Sequence, residues 1–226
     1  MQFPPLHEWP TTEEAAVALQ NELAARVDTS APVGAIELIA GCDIAYHLTE
    51  PRLFAAVVVL KASDLSVVEE CTVTREVTFP YVPGLLSFRE IPALLAAFGE
   101  LLRAPGAVML DGQGIAHPRR FGLACHLGLW LDLPCVGCAK SWLVGDHTEP
   151  GPNAGEATPL SLNGETVGAV VRSATGVKPV FVSPGHKIDV GSATQLVRAT
   201  LSGYRHPAPT RAAHMAANRL RMEFGV

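Results

Sequence analysis

The stretch Ala107–Arg120, AVMLDGQGIAHPRR, determines how the rest of the chain is interpreted. It begins with four apolar residues, a run that fits a buried strand and is too short for a helix. The run ends at Asp111, and a Gly-Gln-Gly turn follows it. Open α/β sheets place their ligands beyond the carboxyl ends of buried strands. Asp111 is therefore a candidate site residue, and the simpler alternative is a cap on the next helix.

Length and composition predict one domain with a large core. The chain has 226 residues, of which 48% are hydrophobic. We predict a single domain over residues 1–226, with an N-terminal packing helix at about 11–27. No apolar run reaches the roughly 18–20 residues of a membrane span, and no signal peptide is visible. The five cysteines, an odd number in mostly apolar surroundings, favour buried thiols and a cytoplasmic location.

Charge is distributed unevenly along the chain. Residues 1–171 carry 9 Lys and Arg against 20 Asp and Glu, whereas residues 172–226 carry 8 against 2. The net charge of −5 argues against a generally basic, nucleic-acid-binding surface. The basic C-terminal segment, residues 172–226, is either an ordinary helix surface or a segment that meets an anion such as a phosphate backbone.

Hydrophobic patterning predicts a sheet with helices packed on it. Strands are expected at residues 36–46, 53–60, 66–74, 107–110, 135–139, 166–173 and 179–182. Helices are expected at 11–27, 87–103, 119–131, 192–201 and 209–223, and residues 146–163 are predicted to be a loop. Thr11 or Thr12 should cap the first helix, and Ser87 the second. The strand at 53–60 should be buried on both faces.

This order of elements predicts an α/β protein with a mixed sheet and helices on both faces. The first three strands are spaced like an antiparallel meander. Strands 107–110 and 135–139 should run parallel to strand 36–46, because a helix separates each from the strand before it.

Four charged side chains interrupt or follow these predicted elements. Asp43 lies inside an apolar strand, where a carboxylate is costly unless it is paired or binds a metal. Asp111 and Lys140 each end a strand, and Glu90 lies on a predicted helix. The simpler interpretations are a buried ion pair for Asp43, a helix cap for Asp111 and a solvated helix face for Glu90. Three converging carboxylates would repel one another, and Mg²⁺ would remove that conflict, with Lys140 beside a phosphate.

Two of the eight histidines stand at informative positions. His117 follows the glycine turn, and His214 lies on the last predicted helix. An isolated histidine is more often structural than functional, so each is a candidate by position alone. Cys135 and Cys138 match C-x-x-C, but no second Cys or His pair stands at ligand spacing, which disfavours zinc or redox chemistry.

Several motifs together resemble those of the endonuclease V family. They are FPYVPGLLSFRE at 79–90, DGQGIAHPR at 111–119, GCAKS at 137–141, SPGH at 183–186 and PTRAAH at 209–214. The resemblance implies a ribonuclease-H-like core. It also implies an enzyme that nicks nucleic acid at deaminated purines, chiefly inosine. The cut would fall at the second phosphodiester bond 3′ of the lesion, with Mg²⁺ or Mn²⁺ as cofactor.

The resemblance implies a role for each candidate catalytic residue. Asp43 and Asp111 would be metal ligands, and Glu90 would be a third acidic ligand, direct or through water. Lys140 and His214 would contact the scissile phosphate or activate water.

The resemblance also implies how the damaged base is bound. Tyr81 would be the wedge that fills the stack when that base leaves it, and Pro80 and Pro83 on either side of it would also contact the substrate. The pocket for the base would be lined by Gly84, Leu86, Gly112, Gly114, His117 and Leu123.

The expected partner is DNA that contains deaminated bases, and neither a membrane nor a protein partner is required. One alternative is a ribonuclease specific for inosine-containing RNA. Another is a non-catalytic protein that binds deaminated bases, against which the complete carboxylate set argues. Without the resemblance, a phosphatase with an acidic site would also fit, but it would leave an exposed aromatic residue between prolines unexplained.

Overall fold

The computed structural model describes residues 1–225, whose nine strands form one mixed sheet. The strands are β1 Leu38–Tyr46, β2 Arg52–Lys61, β3 Val67–Glu76, β4 Ala107–Leu110, β5 Cys135–Ala139, β6 Asp146–His147, β7 Ala157–Leu162, β8 Glu165–Val171 and β9 Val180–His186. The helices are α1 Glu13–Ala24, α2 Leu86–Glu100, α3 Leu123–Leu131, α4 Val190–Ala199 and α5 Ala208–Glu223. The predicted α/β class is confirmed.

The sheet has the strand order β3-β2-β1-β4-β5-β9-β8-β7-β6. Strands β1 to β3 form the predicted antiparallel meander, and β4 and β5 run parallel to β1. In the β1–β4 pair, Cys42 is opposite Leu110. Since each partner is followed by an aspartate, this register brings Asp43 and Asp111 to the same level of the sheet.

Helices cover both faces of the sheet, as predicted. Helices α2 and α3 pack on one face, and α4 and α5 pack on the other. Residues 53–60 of β2 contribute alternately to the two sides, so this strand is buried on both faces. None of the helices in residues 1–225 combines the length and the apolar character that crossing a bilayer requires.

The prediction of a loop over residues 146–163 is wrong, because strands β6 and β7 lie within it. Strand β7 pairs with β8 through the two-residue turn Asn163-Gly164. Both turn residues have positive φ, 53° and 82°. Asn-Gly is the sequence that favours this type of hairpin turn. A turn signal was therefore present in a stretch whose glycines and prolines indicated a loop.

Two predicted helix starts also need correction. Ser87 does not cap α2, which begins at Leu86 without a side-chain cap. The Ser87 hydroxyl instead lies 3.0 Å from Nδ1 of the buried His126 of α3. Helix α3 begins at Leu123 and not near residue 119, because Arg120 adopts a positive φ of 55° that an α-helix does not allow. The Thr12 cap of α1 is confirmed, since its side chain accepts from the Ala15 N–H.

Candidate active site

Two aspartates on neighbouring parallel strands form the centre of the candidate site. The carboxylate of Asp43 lies 2.8 Å from Nδ1 of His214, on α5. The carboxylate of Asp111, directly after β4, lies 2.5 Å from Nζ of Lys140, directly after β5. Only 14% of each aspartate side chain is exposed. The fold thus brings together four of the five predicted catalytic residues, although they are separated by up to 171 positions in sequence.

Glu90 is the fifth, and it approaches from α2 on the other face of the sheet. It is 8% exposed, so the interpretation as a solvated helix face is wrong. The Tyr46 hydroxyl donates to its Oε1 over 2.7 Å. Burial raises the pKa of Glu90 to about 8, and the charges of Asp43 and Asp111 push it in the same direction. The carboxylates of Asp43 and Asp111 are therefore close enough for their charges to act on Glu90.

The donor set suits a hard divalent cation, because it concentrates carboxylate oxygens in a buried place. Burial raises the pKa of Asp43, and the Asp111 charge raises it further against the hydrogen bond from His214. A cation would stabilise all three ionised forms. In residues 1–225, however, no three His, Cys, Asp or Glu side chains are arranged around a common point. Each carboxylate is turned instead toward a protein partner: His214, Lys140 or Tyr46.

An open cavity of about 420 Å³ adjoins Asp111 and Lys140. Most of the predicted base-binding residues lie on its wall, namely Tyr81, Pro83, Gly84, Leu86, Gly112, His117 and Leu123. Pro80 and Gly114 were predicted beside them but are not part of the wall. Gly114 is buried, and a Cβ at this position would lie 2.0 Å from the carbonyl oxygen of Pro184. Its role is close packing of two backbones.

The turn that carries Tyr81 is fixed by one carbonyl group. The Gly84 oxygen accepts from the side chains of Gln20 (2.9 Å), Arg119 (3.0 Å) and His117 (3.1 Å). Burial lowers the pKa of His117 to about 4, and the Arg119 charge acts in the same direction. His117 is therefore neutral at neutral pH. Because its Nδ1 accepts from the Arg119 N–H, its Nε2 carries the proton that is donated to Gly84.

Three residues at the site were missed from the sequence. Gln20 was assigned to a packing helix, yet it holds the Tyr81 turn. Arg205 donates to the carbonyl oxygen of Lys140 over 2.5 Å and so fixes the end of β5. The ring of His206 stacks on the ring of His214, with centroids 5.5 Å apart. The pair Arg205-His206 stands just before PTRAAH, and this proximity is the signal that could have indicated both.

The basic C-terminal segment is largely engaged within the protein. Arg219 pairs with Glu70, and Arg211 lies 3.8 Å from the centre of the Tyr204 ring. Arg172 pairs with Glu149 and Lys187 with Asp132, each over 2.6 Å. These four basic side chains therefore already have partners within the protein.

A sequence model of the family described as endonuclease V matches residues 20–215, which include every candidate catalytic residue. The chain belongs to the endonuclease V family. The endonuclease V of Gloeobacter violaceus is 47% identical over 96% of this chain and 89% of its own length. That of Azotobacter vinelandii is also 47% identical, over 95% of this chain and 97% of its own length.

Solved endonuclease V structures share this fold. The crystal structure from Streptomyces avermitilis superposes with a TM-score of 0.91 at 45% identity and covers 96% of both chains. Ciona intestinalis endonuclease V, crystallised with a 24mer DNA containing an inosine followed by a ribo-adenosine, has a TM-score of 0.82. It covers 94% of this chain and 100% of its own, and its 24% identity supports the fold alone.

Proposed function

We propose that this member of the endonuclease V family is a DNA-repair nuclease that cuts a strand near a deaminated purine, chiefly inosine. The observation that carries the proposal is the junction of two features at Asp111. On one side lies a buried group of carboxylates, and on the other a cavity with the exposed Tyr81 on its wall. The first suits phosphodiester hydrolysis, and the second suits a base that has left the stack.

The proposed cation is Mg²⁺, with Mn²⁺ as the alternative, and Asp43, Asp111 and Glu90 would hold it. To do so, these side chains would have to exchange their present protein partners for the ion. When bound, the cation neutralises charge on the phosphodiester and activates its hydrolysis.

Lys140 and His214 would contact the scissile phosphate or activate water. Once Asp111 holds the cation, the Lys140 ammonium is available to a phosphate oxygen beside it. With Asp43 on the cation, Nδ1 of His214 would lose this partner and could face a water molecule or a phosphate oxygen. The Asn218 amide nitrogen, 3.3 Å from each ring nitrogen, stays beside the imidazole on α5.

The cavity offers a way to read the base. Hypoxanthine has a carbonyl and an N–H where adenine has the reverse arrangement of acceptor and donor. Backbone groups beside Gly84 and Gly112 on the cavity wall can make this distinction, since a wrong base would leave a buried group unpaired. The neutral His117 fixes Gly84 and adds no charge to the pocket.

We further propose that residues 1–226 act as one catalytic domain in the cytoplasm. The site draws side chains from both ends of the sequence, from Asp43 on β1 to His214 on α5. All five cysteines are free, and four of them are buried, which suits a reducing compartment.

The decisive experiment compares matched DNA and RNA strands with and without a single inosine, incubated with Mg²⁺, and maps each cut. We expect cleavage of the inosine-containing DNA at the second bond 3′ of the inosine and none of the unmodified strand. Cleavage restricted to RNA would replace DNA repair with the ribonuclease alternative. Binding of the inosine-containing strands without cleavage in Mg²⁺, and with none when Mn²⁺ replaces it, would make the protein a base-binding module.

Tyr81 provides a separate test of the wedge. Its side chain is 69% exposed while the neighbouring Phe79 is buried, so Tyr81 is not part of the core. We expect Tyr81→Ala to weaken affinity for inosine in a duplex by roughly 1–3 kcal/mol, the value of one base–aromatic stack. Tyr81→Phe should be nearly harmless, because the ring does the stacking. Titrations on duplex and single-stranded inosine substrates, with thermal melts, measure this. A large loss of Tm with unchanged affinity per folded molecule would show that the ring serves stability.

A further inference from the structure

A second exposed aromatic side chain lies on the cavity wall. Trp142 is 56% exposed, although tryptophan has a large apolar surface that proteins usually cover. It shares the wall with Tyr81 but belongs to the loop of residues 140–145 that follows β5. The other two tryptophans, Trp9 and Trp130, stack on each other and pack against the core.

The loop holds the Trp142 ring in the open. Its indole N–H donates to the carbonyl oxygen of Gly145 over 2.8 Å. Gly145 has a φ of +88°, which closes the loop. The preceding carbonyl oxygen, that of Ser141, accepts from the Gln113 side chain over 2.9 Å. Because the polar end of the ring already has a partner, what the ring offers to a ligand is its flat apolar face.

The position of Trp142 relates it to one nucleotide of the bound strand. Trp142 is two residues from Lys140, which we place at the phosphate, and it shares a wall with Tyr81, which we place at the lesion. A strand that runs from the flipped base to the cut bond must pass between these points. We propose that Trp142 stacks on the base of the nucleotide immediately 3′ of the flipped one. This inference rests on the proposed function and adds a residue that fixes the strand between lesion and cut.

Such a contact would hold a nucleic-acid strand whatever its base sequence. Every nucleobase has a π-face, so stacking on tryptophan does not depend on which base follows the lesion. The nuclease would then read the lesion in its pocket and grip the next nucleotide without reading it.

Tryptophan emission reports this stack without any need for cleavage. We expect the emission of the wild-type protein to fall when an inosine-containing duplex binds in the absence of divalent cation. Trp142→Phe should lose most of this change. Trp9→Phe is the matched control, since Trp9 lies against Trp130 and away from the cavity wall, and it should keep the full response.

Binding measurements then assign the partner base. Trp142→Ala should weaken binding about 5- to 150-fold, which is roughly 1–3 kcal/mol for one stack at about 1.4 kcal/mol per tenfold. With an abasic nucleotide 3′ of the inosine, the wild type should lose the same factor, and Trp142→Ala should lose nothing more. An abasic nucleotide 5′ of the inosine is the matched control and should leave the difference between the two proteins intact.

Trp142 does not stack on this base if Trp142→Ala binds as tightly as the wild type. The same conclusion follows if Trp142→Ala still binds more weakly than the wild type on the substrate with the 3′ abasic nucleotide, or if Trp142→Phe keeps the emission change. In each of these cases, cleavage of inosine-containing strands by the wild type would leave the proposed function standing. A wild type that neither binds nor cuts such strands would overturn both.

Discussion

Asp111→Ala is expected to slow cleavage of an inosine-containing strand by about 10³-fold or more, since a cation held by this carboxylate supplies several kcal/mol of transition-state stabilisation. Binding of the lesion should survive, because Asp111 repels phosphates in the absence of a cation. The fold should survive as well, because losing this charge relieves repulsion with Asp43 and Glu90. Asp43→Ala should behave in the same way.

Single-turnover cleavage with Mg²⁺ measures the chemical step, and binding without divalent cation measures affinity. Asp146→Ala is the matched control, because Asp146 is an exposed carboxylate on β6 and not on the cavity wall. It should cleave at the wild-type rate. Removal of a metal ligand should slow cleavage by far more than about tenfold. If Asp111→Ala and Asp43→Ala both cleave within about tenfold of the wild-type rate, the assignment of metal ligands is wrong.

Gly41→Ala is expected to give the largest loss of stability. Gly41 lies two residues before Asp43 on the same face of β1, and the first turn of α5 rests on it. A Cβ at this position would lie 1.9 Å from the backbone oxygen of Pro209. Since backbone cannot rotate away as a side chain can, α5 must move as a unit. Overpacking of this kind costs about 1–3 kcal/mol and sometimes more.

The same displacement should reach the site, because α5 carries His214 to within 2.8 Å of Asp43. We therefore expect Gly41→Ala to lose cleavage activity per folded molecule as well as stability. Denaturant melts and single-turnover cleavage measure the two effects. Gly34→Ala is the control, as a Cβ there meets nothing within 4 Å. A Gly41→Ala protein that melts and cleaves like the wild type would show that α5 tolerates the shift.

Continuous apolar runs made the centre of the fold predictable from the sequence. Strands β4 and β5 have the predicted bounds, because each is a short apolar run that ends at a charged residue. Elements that depend on pairing were harder to predict. Strand β7 contains Pro159, which disfavours a strand, and its pairing with β6 and β8 makes it one. Ser87 failed as a cap because its hydroxyl found His126, which is 39 positions away.

Residues of the site whose role depends on a distant partner were also hard to predict. Asp43 and Asp111 could be predicted because a carboxylate in or after an apolar strand needs a reason to be there. Gln20 could not, because its role depends on Gly84, 64 positions away. Arg205 stands near the PTRAAH motif, but its contact with the backbone of Lys140, 65 positions away, could not be predicted. Tryptophan is a residue type usually found packed in the core, and only the exposure of Trp142 in the fold indicates a binding surface.

Helix α5 packs on β1 and β2, which are the first strands of the sheet. A chain synthesised from its N-terminus releases these strands from the ribosome well before α5 exists. Until then, one side of the apolar strand Arg52–Lys61 is open to other nascent chains, an exposure that promotes aggregation. Helix α5, the last helix of residues 1–225, therefore covers this apolar face of the sheet only late in synthesis. Because the same helix carries His214, the protein can gain a complete site only at the moment when its sheet becomes protected.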